Sequence, residues 1–155
     1  MMEGIMQVAS GAETCRPPTA VGPRDAALRA ARTCYDHMAG RLGVALADAM
    51  VTGGYAELTK DAGVITEAGL TMLACVGLDV DALATTNGKR WARVLCRPCL
   101  DWSERRPHLA GTVGASICKH MVCKSWLRRI EGTRGFTITP KGRQVFQDTF
   151  GVRLG

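Results

Sequence analysis

The sequence predicts an α+β fold that is mainly helical and is built from two tandem winged-helix-like repeats. The segment that begins at His37 recurs at His108, with both of its glycines and its apolar positions preserved. In each copy the apolar residues follow helical spacing. Two short β segments and a further helix come after each copy, which is the order of elements in a winged helix.

Composition shifts along the chain predict the boundaries of these repeats. Residues 1–22 contain prolines and glycines with few large apolar side chains, so we expect a linker or tail. The first repeat is then expected at residues 23–86 and the second at residues 87–155. An Asn-Gly turn signal at residues 87–88 marks the junction.

The first repeat is expected to begin with a helix, because apolar residues from Leu28 to Met38 recur at helical spacing. The apolar stripe of the repeated segment predicts the second helix, which ends at a pair of glycines. Segments 55–58 and 64–66 are expected to form a hairpin. Thr66 can cap the last helix.

The second repeat is expected to follow the same order. Its stripe includes Val113 in the place of Leu42, and its hairpin is expected at residues 126–130 and 136–139. Thr139 followed by Pro140 is typical of a helix start. The stretch 89–104 between the two copies is expected to contain one or two short helices.

Charge divides the chain into two unlike halves. Residues 1–88 carry 6 Lys and Arg against 10 Asp and Glu, whereas residues 89–155 carry 14 against 4. Four of these basic residues lie on or near the second predicted hairpin, where they could contact nucleic-acid phosphates: Lys124, Arg128, Arg129 and Arg134. Basic residues on an exposed strand can equally serve to block edge pairing.

Cysteine and histidine supply the candidate metal ligands. The pair Cys96-Arg-Pro-Cys99 has the spacing at which two thiolates hold one ion, and Cys34, His37 and His108 could complete the set. Such ligands suit zinc or another thiophilic ion. Redox catalysis by the pair is disfavoured, because no βαβ unit surrounds it. The alternative is that these cysteines are small buried apolar side chains.

A second shared pattern places an aspartate two residues after a cysteine in each half. Asp36 follows Cys34 and Asp101 follows Cys99, with His37 or His108 further along the chain. Pseudo-symmetry could bring the two sets to one interface and form a ligand pocket. Equally, the aspartates could cap helices and the histidines could satisfy local hydrogen bonds.

Enzymatic activity is not expected from this sequence, because it contains no catalytic triad pattern, phosphate-binding loop or His-Glu-x-x-His motif. The N-terminus lacks the features of a signal peptide, and no apolar run is long enough to span a membrane. An odd count of seven cysteines then predicts reduced thiols and a cytoplasmic location.

Two long motifs carry a family resemblance: the one that runs from Arg32-Thr-Cys-Tyr-Asp-His37 to Met50, and the one from Cys96 to Gly111 that contains Asp-Trp-Ser-Glu-Arg-Arg-Pro-His108. Residues 22–155 resemble the C-terminal region of bacterial winged-helix repressors of the ArsR superfamily. The resemblance implies a cytoplasmic, homodimeric transcription regulator. The family's N-terminal DNA-reading domain has no counterpart here, so the chain is expected to be a fragment.

The expected function is therefore the effector and dimerisation portion of such a regulator. DNA would be contacted through the missing domain, or weakly through the basic second repeat. Two alternatives remain. One is a metal- or thiol-sensing module that uses Cys96 and Cys99. The other is an interaction domain without DNA binding of its own.

Overall fold

The computed structural model describes residues 25–86, 89–90 and 94–154. The expected tail at residues 1–22 and the Asn-Gly turn lie outside these ranges. Two segments with the same order of elements make up most of the described chain. We call residues 32–75 the first unit and residues 94–150 the second unit.

The first unit follows a short helix and runs strand, strand, helix, strand, strand, helix. Its elements, with that preceding helix, are α1 (Ala26–Ala30), β1 (Arg32–Cys34), β2 (His37–Ala39), α2 (Gly40–Thr52), β3 (Ala56–Leu58), β4 (Gly63–Ile65) and α3 (Glu67–Cys75). A short connection then carries α4 (Val80–Ala84), β5 (Thr85–Thr86) and β6 (Lys89–Arg90).

The second unit repeats this order. Its elements are β7 (Val94–Leu100), β8 (Pro107–Ala110), α5 (Gly111–Cys123), β9 (Leu127–Arg129), β10 (Phe136–Ile138) and α6 (Pro140–Phe150). All strand pairs are antiparallel, and β4 pairs with β7 so that one sheet of order β3-β4-β7-β8 crosses both units.

The predicted mainly helical fold with two winged-helix-like repeats is wrong. Six helices and ten strands occur in the described ranges, so the chain is a mixed α+β protein. In each unit a β-hairpin, and not a helix, precedes the long helix. The residue spacing from Leu28 to Met38 is compatible with a helix, but the chain turns back at Tyr35, whose φ is 59°. The expected short helices at 89–104 are also replaced, chiefly by strand β7.

The later elements of each unit agree with the sequence prediction. Hairpins β3–β4 and β9–β10 form where expected. Thr66 caps α3 by accepting a hydrogen bond from the Gly69 amide at 3.1 Å, and Thr139 caps α6 through the Gly142 amide at 3.0 Å. These matching caps give a physical reason for the repeated Ile-Thr-x-x-Gly sequence.

The hydrophobic core joins the two units, because α2 packs against β8 and α5 packs against β2. One cluster of buried residues contains Met50 and Leu73 together with Val113, and a second contains Leu42 together with Phe146. The predicted apolar stripe is therefore buried at its centres, with Leu42 0% and Val113 1% exposed. Each unit supplies part of the surface that the other needs to bury its apolar side chains.

Candidate metal centre

Each unit places one cysteine directly opposite one histidine on a hairpin. Cys34 on β1 pairs in register with His37 on β2, and Cys99 on β7 pairs in register with His108 on β8. Directly opposed residues of an antiparallel pair project from the same face of the ladder. The two hairpins thus present the same pair of potential metal ligands, although one turn is short and the other longer.

The four side chains meet between the units. One potential ligand atom from each of Cys34, His37, Cys99 and His108 lies within 4.8 Å of all the others. The Nε2 atoms of the two histidines are 3.0 Å apart, which is a hydrogen-bond distance. Both imidazoles are buried, and both thiols are partly exposed. The group therefore has a buried imidazole side and a thiol side that solvent can reach.

Two glycines allow the helices to lie close to these histidines. A Cβ atom at Gly43 of α2 would approach the Met38 carbonyl, and it would lie 3.5 Å from the His108 Cβ. A Cβ atom at Gly114 of α5 would approach the Leu109 carbonyl and lie 3.1 Å from the His37 Cβ. The contacts are reciprocal, since each unit's glycine faces the other unit's histidine. A larger side chain at either glycine would force the helix away from the strand beneath it.

Asp101 fixes the orientation of one of the two imidazoles. Its Oδ1 lies 2.9 Å from His108 Nδ1, and the side chain is fully buried. An ionised carboxylate can only accept, so His108 donates through Nδ1 and directs its Nε2 lone pair toward the cluster. Metal-binding histidines usually have such a partner behind them.

Asp101 also joins the cluster to both units. It accepts hydrogen bonds from the Gly40 amide at 2.7 Å, the Ser103 hydroxyl at 2.9 Å and the Glu104 amide at 2.9 Å. The buried guanidinium of Arg32 lies 3.3 Å away. Burial alone would raise the pKa of Asp101, but these hydrogen bonds and the Arg32 charge hold it well below its usual range. Asp101 is thus a carboxylate at any ordinary pH.

The charge states of the ligands in the metal-free protein follow from their surroundings. Burial raises the pKa of the Cys99 thiol to about 11, and the neighbouring Cys34 adds to this rise. Burial, with a contribution from His37, lowers the pKa of His108 to about 4. At neutral pH, His108 is therefore a neutral imidazole, whereas Cys99 is a protonated thiol. An ion that binds here must displace the thiol proton.

The structure does not bring Cys96 to the cluster, although the sequence pairs it with Cys99. Successive side chains of a strand point to opposite faces, so residues three apart on β7 face in opposite directions. Cys96 lies in the hydrophobic core, where its Sγ would be 2.9 Å from a Cβ at Gly63. Burial raises its pKa to about 11. Cys96 is accordingly an apolar core residue, as the alternative interpretation of the cysteines had it.

The basic residues singled out in the second half are exposed residues in or near the second hairpin. Lys124 follows α5, Arg128 and Arg129 lie on β9, and Arg134 lies in the β9–β10 turn. All four are exposed, and the Arg129 guanidinium lies 5.2 Å from the centre of the Phe136 ring. We call these four residues the basic edge. Its side chains are separate from the metal-ligand cluster and contribute no ligand to it.

Two residues that stabilise the centre were not identified as such from the sequence. Asp101 was noted only as part of a Cys-x-Asp pattern with an open role. The repetition of that pattern in both halves of the sequence was the feature that pointed to Asp101. Arg32 had no signal, because a lone arginine within a predicted helix is ordinary. Its burial depends on a contact with a residue 69 positions later in the chain.

The chain is similar to a bacterial transcription regulator. It is 34% identical over 127 residues to the "Uncharacterized HTH-type transcriptional regulator YdfF" of Bacillus subtilis (strain 168). The match covers 82% of this chain and 54% of that protein, so the chain spans about half the length of the relative it matches. The chain is thus a homologue of a protein named as a transcription regulator, which is not an enzyme class.

No protein-family model matches the chain, and no solved structure does. The described helices are all too short, or too polar, to cross a membrane.

Proposed function

We propose that the chain is the effector and dimerisation portion of an ArsR-type transcription regulator, and that a thiophilic metal ion bound by Cys34, His37, Cys99 and His108 is its signal. One observation carries the proposal: two thiols and two imidazoles from distant parts of the sequence meet within 4.8 Å. Thiolate and imidazole together suit zinc and related ions. The homologue's name supports a role in transcription regulation.

Four protein ligands favour sensing over catalysis. Catalytic zinc sites typically keep one position for water or substrate, whereas sites with four protein ligands are closed. The ligands here come in equal numbers from two units that share one core. An ion bound to all four would therefore hold the two hairpins in one fixed arrangement. A fixed arrangement of two units is a state that a partner surface can distinguish from the metal-free one.

DNA and dimer contacts belong to the same proposal. Operator recognition by the whole regulator would require a DNA-reading domain beyond the described residues. The exposed Lys124, Arg128, Arg129 and Arg134 would add phosphate contacts, which position a protein without reading sequence. We place the chain in a homodimer in a reducing cytoplasm, where its thiols stay available to metal.

Metal analysis of the reduced full chain tests this function. Wild-type protein is compared with a Cys34→Ser/Cys99→Ser variant, and a Cys75→Ser/Cys123→Ser variant serves as the matched control. Cys75 and Cys123 are both exposed and lie outside the cluster. After incubation with zinc and gel filtration, wild type and control should retain one ion per chain, whereas the cluster variant should retain none.

Thermal unfolding supplies a second readout. An ion that binds only the folded protein stabilises it by about 2.7 kcal/mol when its concentration is 100 times the dissociation constant. Zinc should therefore raise the Tm of wild type and of the control, and should leave the cluster variant unchanged. Equal zinc content in wild type and cluster variant, with no Tm shift, would overturn the proposal.

A further inference from the structure

The geometry of the cluster points to the class of ion it selects, an inference that rests on the proposed metal-sensing function. We infer that the centre takes a divalent ion in tetrahedral coordination, zinc being the natural example, and that the His37–His108 pair raises the affinity for divalent ions but not for soft monovalent ions. Three features of the described residues support this: the spacing of the ligands, the charge of the site, and the partners behind each imidazole.

The spacing of the ligands fits a tetrahedron of zinc size. Zinc binds nitrogen at about 2.0–2.1 Å and sulfur at about 2.3 Å, so a regular tetrahedron places two nitrogens about 3.3 Å apart and two sulfurs about 3.8 Å apart. The two histidine Nε2 atoms are 3.0 Å apart, and every other pair of ligand atoms is within 4.8 Å. An ion would need to separate the imidazoles by a few tenths of an ångström and to draw the widest ligand pairs together by up to about 1 Å.

The charge of the site also favours a divalent ion. Two thiolates and two neutral imidazoles carry a charge of −2, which a divalent ion cancels. A monovalent ion would leave one negative charge beside imidazoles that are buried, and an uncompensated charge in such a place is costly. The nearest buried cation, Arg32, is already paired with Asp101 at 3.3 Å and is not available to neutralise it.

Each imidazole has a carboxylate near its Nδ1 atom, on the side of the ring away from the cluster. His108 Nδ1 is 2.9 Å from Asp101, and His37 Nδ1 is 3.3 Å from Asp36. With a hydrogen at each Nδ1, both Nε2 lone pairs face the cluster. Without the ion, His37 donates its Nε2 hydrogen to His108 Nε2. A divalent ion replaces this hydrogen bond by two coordinate bonds. The His37 hydrogen then moves from Nε2 to Nδ1, and the two thiol protons pass to solvent.

A soft monovalent ion does not require the imidazoles as ligands. Cu(I) and Ag(I) are well served by two thiolates, and Cys34 and Cys99 lie on the side of the cluster that solvent reaches. Such an ion would occupy the thiol pair and leave the hydrogen bond between His37 and His108 intact. The imidazoles therefore raise the affinity for the divalent ion alone, and this difference is what sets the selectivity.

The test uses the reduced full chain with Zn²⁺ and Ag⁺ as probes and Co²⁺ as a spectroscopic reporter. His37→Gln removes one imidazole from the cluster. His120→Gln is the matched control, since His120 is half-buried, hydrogen-bonds the Val76 carbonyl and lies outside the cluster. Affinities come from competition with chelators of known strength. The Co²⁺ protein shows whether coordination is tetrahedral and whether thiolate is bound.

We expect wild type and His120→Gln to bind Zn²⁺ and to give a tetrahedral Co²⁺ spectrum with thiolate charge-transfer bands. His37→Gln should weaken Zn²⁺ binding on the order of 100-fold or more, since loss of even an outer partner of a ligand costs 10–100-fold. Its Ag⁺ affinity should stay within about threefold of wild type.

The outcomes separate this inference from the proposed function. Zinc binding that survives His37→Gln, or an octahedral Co²⁺ spectrum in wild type, overturns the inference while a thiol-based metal site stands. Wild-type protein that binds Ag⁺ tightly and Zn²⁺ weakly also overturns the inference without any variant, so a misfolded variant does not block the test. Failure of wild type to bind any of the three ions overturns the proposed function itself.

Discussion

The two units place the same ligands on the same kind of hairpin, yet they surround them differently. Asp101 in the second unit is completely buried and accepts hydrogen bonds from both units, whereas the side chain of Asp36 is 70% exposed. Both aspartates lie behind a histidine. The comparison shows that a repeated backbone fixes where ligands lie, while the residues around each copy decide how firmly its ligand is held.

Replacing each aspartate in turn gives the strongest test of this difference. Asp101→Ala leaves the Arg32 guanidinium buried without its partner, and breaking a buried ion pair in this way typically costs about 3–5 kcal/mol. Asp36→Ala removes an exposed group and should change stability by no more than about 0.5 kcal/mol. Denaturant unfolding of the metal-free proteins measures both. Similar losses of stability in the two variants would mean that the difference in surroundings between Asp101 and Asp36 does not affect stability.

Shortening the buried side chain at the centre of α2 and of α5 tests whether the units share one core. Leu42 and Val113 occupy equivalent positions, and both are almost fully buried. Leu42→Ala should cost about 2–5 kcal/mol, and Val113→Ala should cost less because fewer carbon atoms are removed. Both variants should unfold in a single transition that all probes follow alike. Two separate transitions, each sensitive to one substitution, would show that the units are independent.

Acidification should destabilise the metal-free protein through His108. Its pKa falls from an ordinary 6.5 to about 4 in the folded state, first because of burial and then because of His37. Between pH 6.5 and 4, the unfolded chain therefore binds a proton at His108 that the folded chain does not bind. Stability should be complete above pH 6.5 and should decline as the pH falls toward 4, by up to roughly 3 kcal/mol.

A His108→Gln variant is the control for this titration, because its stability should vary much less across the same pH window. Asp101 should contribute only at the acid end of this window, because its folded-state pKa is lowered well below its ordinary value and the stability it adds is lost as the pH falls below about 5. A wild-type stability that is flat from pH 6.5 to 4 would contradict the prediction.

The smallest expected effect concerns the basic edge, where the units differ in charge. The second hairpin carries Arg128, Arg129 and Arg134 with one acidic residue, while the first carries Glu57 and Asp61 with one basic residue, Lys60. Contacts from these arginines to phosphate should give DNA binding of micromolar strength or weaker, without sequence preference and falling steeply with salt. Titration of two unrelated duplexes at two salt concentrations measures this. Nanomolar binding to one duplex alone would show that the second unit reads sequence.

The sequence predicted the second half of each unit well and the first half badly. Turn residues flanked by β-forming segments identify β3–β4 and β9–β10, and a threonine before a helix identifies its start. From Leu28 to Met38, apolar residues at intervals of three or four fit a helix, but a hairpin of three-residue strands is too short to show its own period. Tyr35 in the turn has a positive φ, which its residue type does not predict.

Four of the five candidate metal ligands lie together in the structure, and Cys96 lies apart from them. Cys34, His37, Cys99 and His108 were all named from the sequence, because their residue types suit one ion. Cys96 was included because a Cys-x-x-Cys pair can place two thiolates on one ion. The segment is a strand, and there the same spacing sends the two thiols to opposite faces. The convergence of residues 71 positions apart is a tertiary fact that local spacing cannot supply.

The meeting of His37 with His108 has a consequence for how the protein is made. A chain grows from its N-terminus at about 5–20 residues per second, so the second histidine is added roughly 4–14 s after the first. During that interval Cys34 and His37 would form half of the proposed metal site, and helix α5 has not yet been synthesised. Half a site binds an ion weakly, since it supplies only two ligands. An ion bound at the proposed site would therefore be selected after synthesis of both units, under the metal concentrations of the compartment in which folding ends.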